Sequence, residues 1–168
     1  MELIFPTIEH KQAALNYRQE HTDHNESHIH GSAGYTHAES YESWLERITL
    51  AQTIAPLGFV TGTTYFAVFN GRMVGTISIR HYLNDSLLKN GGHIGYSVRP
   101  SERRKGYGVK MLALALEKCR ALGIEKALVT CDKDNIASAK TIINNGGVLE
   151  NELTDENGKL LQRYWISI

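Results

Sequence analysis

The chain has 168 residues, 42% of them hydrophobic and 21% charged, which suits one domain spanning 1–168 with a core that needs no staples. Its 18 Lys+Arg balance 18 Asp+Glu, which argues against broad electrostatic binding to nucleic acid or an anionic membrane. It has only two cysteines, Cys119 and Cys131, no secretory pattern in "MELIFPTIEHK", and no apolar run near the ~18 residues of a membrane span, so the expected compartment is a reducing cytoplasm.

"ELIF" reads as a short first strand stopped by Pro6, and residues 8–20 as a helix. The stretch 21–40 is polar, rich in His, Gly and Ser, and aperiodic, so it reads as a loop. A second helix follows over 41–52, with Trp44, Ile48 and Leu50 among charges. The run 64–69, then Asn70-Gly71, then 72–83 is the strongest hairpin signal, because Asn-Gly suits a type I′ turn. "NDSLLKNGG" reads as a loop and 93–98 as a strand. Val109, Leu112, Leu116 and Cys119 mark one face of a helix over 107–122 that ends at Gly123. Residues 126–131 read as a buried strand. Asp134 or Asn135 caps a further helix, with Ile136, Ala139 and Ile143 facing inward and Gly146 as its stop. Two closing strands flank a turn at Asn157-Gly158. The order predicts an α/β fold: a single mixed open sheet with flanking helices.

The stretch "ERRKGYGVKML", Glu102 to Leu112, carries the chemistry. Gly106-Tyr107-Gly108 opens a helix after a strand and a basic turn. Helix starts expose unpaired N–H groups and positive partial charge, and glycine lets an anion approach, so a phosphate or pyrophosphate site is expected. A Walker loop is excluded, since GxxxxGK[ST] is missing. A dinucleotide fingerprint fits poorly. Its third glycine would be Met111, and Arg99 to Lys105 intervene between strand and glycines. Asp132, at about the place of a ribose-binding acid, keeps that alternative open.

"SVRPSERRKGYGVKMLALAL" resembles motif A of the GNAT N-acetyltransferases, a strand ending V-x-P, then [Q/R]-x-x-G-x-[G/A], then a helix. Arg103, Gly106 and Gly108 fill the motif; Val98 and Pro100 fit the strand end. "DNIASAKTIINNGGV" resembles the segment that follows in that family, on Asn135, Ser138 and Gly146. The resemblance covers roughly residues 62–168. It implies the GNAT fold and acetyl-CoA as co-substrate, bound where the strands ending at Val98 and Cys131 splay apart. The backbone of Tyr96, Ser97 and Val98 would pair with pantetheine. Arg103, Arg104, Lys105, Gly106, Tyr107, Gly108 and Val109 would hold the pyrophosphate, and Asn135 and Ser138 would contact the pantetheine arm or sulfur.

For catalysis the resemblance points to His93, where many relatives have a Glu that takes the amine proton. A histidine with an ordinary pKa near ~6.5 is a sensible base there. A backbone N–H near Val98 would polarise the thioester carbonyl. The family's usual tyrosine acid is replaced by Ile142, which leaves Ser138 as the nearby candidate. Cys131 and Tyr164 read better as core residues. His21, His24, His28, His30 and His37 crowd one loop with Asp23 and Glu26 but match no compact zinc signature, so no metal is expected. By itself that loop is a polar loop; the resemblance implies that it, with Tyr35, walls the acceptor site. The expected function is acetyl transfer to a primary amine by direct attack, the acceptor being a small molecule or amino acid. Alternatives are a protein or peptide acetylase and a non-catalytic CoA-binding domain; a homodimer is compatible with the sequence.

Overall fold

The computed structural model describes residues 1–55, 57–154 and 158–168. The chain forms β1 (Glu2–Ile4), a 3-10 turn at Ile8–His10, α1 (Lys11–Asp23), α2 (Tyr41–Leu50), β2 (Gly62–Phe69), β3 (Arg72–Arg80), α3 (Asp85–Lys89), β4 (Ile94–Val98), α4 (Tyr107–Ala121), β5 (Lys126–Asp132), α5 (Ile136–Ile143), β6 (Val148–Thr154) and β7 (Leu160–Ser167). Asn70 and Gly71 take φ of 49° and 73°, the two positive values a type I′ turn requires, and β2 pairs with β3 from Phe69 and Arg72 onward. The stretch expected as a loop after β3 contains the short α3, because the Asn84 side chain accepts from the Leu87 N–H and caps it. The turn expected at Asn157-Gly158 has its first residue outside the described residues.

The expected α/β architecture is present, but hydrogen bonding divides the sheet in two. One half runs β1-β2-β3-β4 and the other β5-β7-β6, with every strand pairing antiparallel. The halves meet at one end, through a bridge between Gly92 and Val129. There the His93 N–H donates to the Leu128 carbonyl (2.7 Å) and the Leu128 N–H donates to His93 Nδ1 (3.0 Å). Past this point no ladder joins β4 to β5 among the described residues, and the strands splay.

Each face of the sheet is covered. α4 and α5 pack on one, burying Val74, Ile77, Ile79, Ile94, Leu112 and Ile142 among others. α1, α2 and the loop between them pack on the other, around Tyr17, Tyr35, Tyr41, Trp44 and Phe66. Trp44 stacks on Phe66 and its Nε1–H donates to the Ser32 carbonyl (2.8 Å), so the indole is both packed and satisfied. The two helix stripes sit slightly off their expected places. In α4 the fully buried residues are Met111, Leu112, Ala115 and Cys119. In α5 they are Ala139 and Ile142, while Ile136 and Ile143 are more than half exposed. Ile142 is therefore a core residue.

Candidate active site

β4 supplies an open edge. The Arg80 N–H donates to the His93 carbonyl and the Arg99 N–H to the Val74 carbonyl, both at 2.8 Å. With Ser78 opposite Gly95 and Thr76 opposite Ser97, these bonds place the backbone groups of Gly95 and Ser97 in the β3 ladder. By the alternation of an antiparallel pair, the groups of Ile94, Tyr96 and Val98 point the other way, into the splay. Tyr96 and Val98 thus keep the edge expected of them. Ser97 does not: its carbonyl also accepts from the Tyr17 hydroxyl (3.2 Å).

The basic turn after β4 is largely neutralised by acids. Glu20 of α1 accepts from the Ser101 N–H (2.7 Å) and pairs with Arg99 (3.4 Å). Glu26 takes both ends of the Arg103 guanidinium (2.6 and 2.8 Å), and Arg103 Nε donates to the Val98 carbonyl (3.2 Å). The Arg103 guanidinium and the His21 ring together hold the Glu26 carboxyl well down, at about 2. Glu102 pairs with Arg72 and Lys105. The side chains of Arg103 and Lys105 are thus engaged within the protein, and Arg104 is the one cation of the 103–105 run without a carboxylate partner among the described residues.

α4 then begins with Gly106 in the left-handed region (φ 78°), with no side-chain cap and no acid in its first turn. Its first helical bond is Lys110 N–H to the Gly106 carbonyl, so the N–H groups of Tyr107, Gly108 and Val109 lack helical partners. These donors beside Arg104 fit an anion such as a pyrophosphate. Gly108 has a second reason to be small: a Cβ there would lie 3.3 Å from Thr141 Oγ1 of α5, so it also sets the α4–α5 approach.

Asn135 caps α5 by accepting from the Ser138 N–H (3.0 Å). Ser138 Oγ lies 2.9 Å from the Tyr96 hydroxyl. Burial raises the Tyr96 phenol to about 12 and also raises the Cys131 thiol, so both are protonated at neutral pH. Tyr96 offers a proton donor that its position in a strand, away from the helix where the family's tyrosine sits, did not reveal.

His93 is not placed as a base. It is buried, its Nδ1 lone pair takes the Leu128 N–H, and burial together with nearby Arg80 lowers its pKa to about 4. A neutral imidazole has one acceptor nitrogen, and here the backbone occupies it. His93 instead clamps β4 to β5 where the splay begins.

The histidine-rich loop lies against β4. Gly31 has φ 71°, and a Cβ there would overlap the Gly95 carbonyl and lie 2.6 Å from Tyr96 Cα, so only glycine allows this approach. The Thr76 hydroxyl donates to the His30 carbonyl (3.3 Å). His21 is buried with Nδ1 2.7 Å from Glu26, and the rings of His28 and His30 lie 4.6 Å apart. No group of three or more His, Cys, Asp or Glu is arranged to hold a metal among the described residues.

A cavity of about 310 Å³ opens at the splay, lined by His28, His30, Tyr96, Cys131, Asp132 and Ser138 among others. Neither ring nitrogen of His30 has a hydrogen-bond partner among the described residues. Surrounding atoms and His28 lower the His30 pKa, which leaves the ring neutral with a free lone pair. Sequence reasoning missed His30 as distinct from its neighbours, and missed Arg80. The signal for Arg80 was the alternation Thr76, Ser78, Arg80 against Ile77 and Ile79, which puts three polar side chains on one face of a strand.

Comparison with known proteins agrees with this geometry. A family model described as the acetyltransferase (GNAT) family matches residues 16–142. No curated protein matches the sequence. Among solved structures the chain is similar to the microcin self-immunity acetyltransferase MccE in complex with acetyl-CoA and AMP, at 17% identity and TM-score 0.72, covering 99% of this chain and 91% of that one. It is similar to RimL, a ribosomal α-N-protein acetyltransferase, in complex with coenzyme A, at 20% identity and TM-score 0.71, covering 99% and 93%. It is also similar to a variant of the spermidine N-acetyltransferase SpeG from Vibrio cholerae, at 15% identity and TM-score 0.66, covering 99% and 95%. With the family model spanning most of the chain and the fold shared throughout, the protein belongs to the GNAT family of acetyltransferases, whose co-substrate is acetyl-CoA.

Proposed function

We propose that this enzyme acetylates a small primary amine by direct attack in the cleft between β4 and β5. One observation carries the reading: the edge of Tyr96 and Val98, with no strand beside it among the described residues, runs from the bare start of α4 to a cavity lined by His30 and the protonated Tyr96. Bound acetyl-CoA supplies a thioester carbonyl there. Tyr96 and Val98 pair with its pantetheine arm. The N–H groups of Tyr107, Gly108 and Val109, with Arg104, hold its pyrophosphate, and Asn135 keeps Ser138 in place. The Val98 N–H polarises the carbonyl. His30 takes the amine's proton as the N–C bond forms. Tyr96, hydrogen-bonded to Ser138, donates a proton to the departing sulfur as the C–S bond breaks. Both cysteines are buried free thiols, which suits the reducing cytoplasm where we place the enzyme.

The test is release of free thiol from acetyl-CoA with a panel of amines, alongside thermal melting. At 100 times Kd, CoA should add about 2.7 kcal/mol and raise Tm by about 5–10 °C, pantetheine less, and NAD nothing comparable. Stabilisation by NAD and none by CoA would overturn the reading.

A further inference from the structure

A second cavity, of about 490 Å³, adjoins the one at the splay. It shares Ala33, Gly34, Ser78 and Arg80 with the first and runs between α2, β2, β3 and α3. Its lining among the described residues includes Ile48, Phe59, Val60 and Leu87, two arginines, Arg47 and Arg80, and no acidic residue.

Arg80 stands at the junction. It lies on the polar face of β3 with Thr76 and Ser78, and it lines both cavities. A guanidinium has five N–H donors. Among the described residues the Arg80 guanidinium makes one hydrogen bond, a long one to the Gly91 carbonyl (3.4 Å), and no ion pair. A cation held partly within a fold without a carboxylate is costly. Burial lowers its pKa as well. Arg47 approaches the same space from α2, its Nη2 3.5 Å from where a Gly34 Cβ would be, and it too has no carboxylate partner among the described residues. The splay cavity also holds an acid: Asp132 lines it with His30, and Lys159 pairs with Asp132 (2.6 Å).

We infer that the acceptor is an amine that also carries an anionic group, seated on Arg80 and Arg47, with its amine toward His30 and Asp132. This deepens the acetyl-transfer reading and rests on it. The polarity of the site suits such a molecule: arginines where the two cavities adjoin, a base beside an ion-paired acid in the splay, and apolar side chains in the second cavity. Carboxylates and phosphates share the chemistry, since both accept a forked pair of N–H donors from arginine.

The experiment measures kcat/KM and thermal shifts for three matched sets: amino acids, their carboxamides or decarboxylated amines, and aminoalkyl phosphates. Wild-type and Arg80→Met proteins are compared, with the CoA-induced melting shift as an independent check of the donor side. The expected result is that wild type prefers the acid-bearing member of a set by about 100-fold in kcat/KM, the size of a lost charged contact. Arg80→Met should erase that preference through KM, keep the CoA shift, and melt no lower than wild type, because an unpaired charge has been removed. The winning set decides between carboxylate and phosphate. Equal use of acidic and neutral amines by wild type, or an equal loss on both in Arg80→Met, overturns the anion anchor while leaving acetyl transfer intact. So does a CoA shift accompanied by no turnover and no stabilisation by any acid. Absence of the CoA shift in wild type overturns the acetyl-transfer reading, and the anchor with it.

Discussion

The two sides of the cleft are built from different materials. In the proposed reading the donor side uses main-chain N–H groups at the start of α4, the edge of β4, and Arg104, which has no acid partner among the described residues. Almost all of it comes from one continuous stretch, residues 94–109. The acceptor side uses side chains gathered from separate elements: His30 from the loop after α1, Arg47 from α2, Arg80 from β3 and Asp132 from β5. Main-chain donors can hold a ligand through its phosphates whatever side chains surround them. Side chains collected from separate elements can be exchanged one at a time, and that is where selectivity for one acceptor belongs.

Substitution on each side separates the two. The largest effect should come from His30→Ala, which is expected to lower kcat by about 10²–10³ with little change in acetyl-CoA affinity. Because its pKa is lowered, His30 should set an acid limb in kcat/KM below its ordinary 6.5. Activity should fall as the ring gains a proton, and the alanine variant should lose that limb. Full activity in His30→Ala would return the proton-accepting role to water or another group.

Next is Gly31→Ala, which drives a Cβ into β4 and strains a positive φ. It should cost about 1–2 kcal/mol from φ alone and more from the overlap. The loop should lift and kcat/KM fall at least about tenfold, while the CoA-induced melting shift survives.

His93→Ala should show as lost stability instead of lost chemistry, about 1–3 kcal/mol for an orphaned buried N–H at Leu128. The native His93 pKa is about 4 and the ordinary value 6.5, so the unfolded chain binds the proton first as pH falls. Its stabilisation is complete above pH 6.5 and is lost between pH 6.5 and about pH 4, roughly 3 kcal/mol in all. Urea melts of wild type and His93→Ala across that range should converge at the acid end.

The smallest effect is on the donor side. Arg104→Gln should weaken CoA binding by about threefold to tenfold, as for one exposed charge–phosphate contact, whereas Lys105→Gln should do less because Lys105 is already paired with Glu102. If Lys105 proved the more important of the two, the ion pair to Glu102 would have to open on binding.

What the sequence revealed follows the same division. The type I′ turn at Asn70-Gly71 and the helix start at Gly106-Tyr107-Gly108 are local requirements on a few residues, and both were legible. The His93 clamp and the pin at Gly31 are agreements between distant segments, and the splay was legible only through the family resemblance. His93 was read as a base because its place in the strand was visible and the use of its Nδ1 was not. Arg103 looked like a phosphate ligand because Glu26, its partner, lies far back in the chain. The α5 stripe was misjudged because Ile136, Ala139 and Ile143 suit a helical spacing as well as Ala139 and Ile142 do, and only the sheet beneath decides which pair turns inward.

The chain's two tryptophans lie in different regions of this architecture. Trp44 is sealed among Tyr35, Tyr41 and Phe66 under the acceptor loop. Trp165 lies on β7, its ring 6.5 Å from that of His93, where the two half-sheets join. The molecule therefore carries two intrinsic optical reporters with separate fields of view. In a Trp44→Phe variant the remaining indole watches the root of the splay alone. Its emission should respond to protonation of His93 and to any wedging of β4 from β5, while Trp44 in a Trp165→Phe variant should stay silent to both and follow the loop.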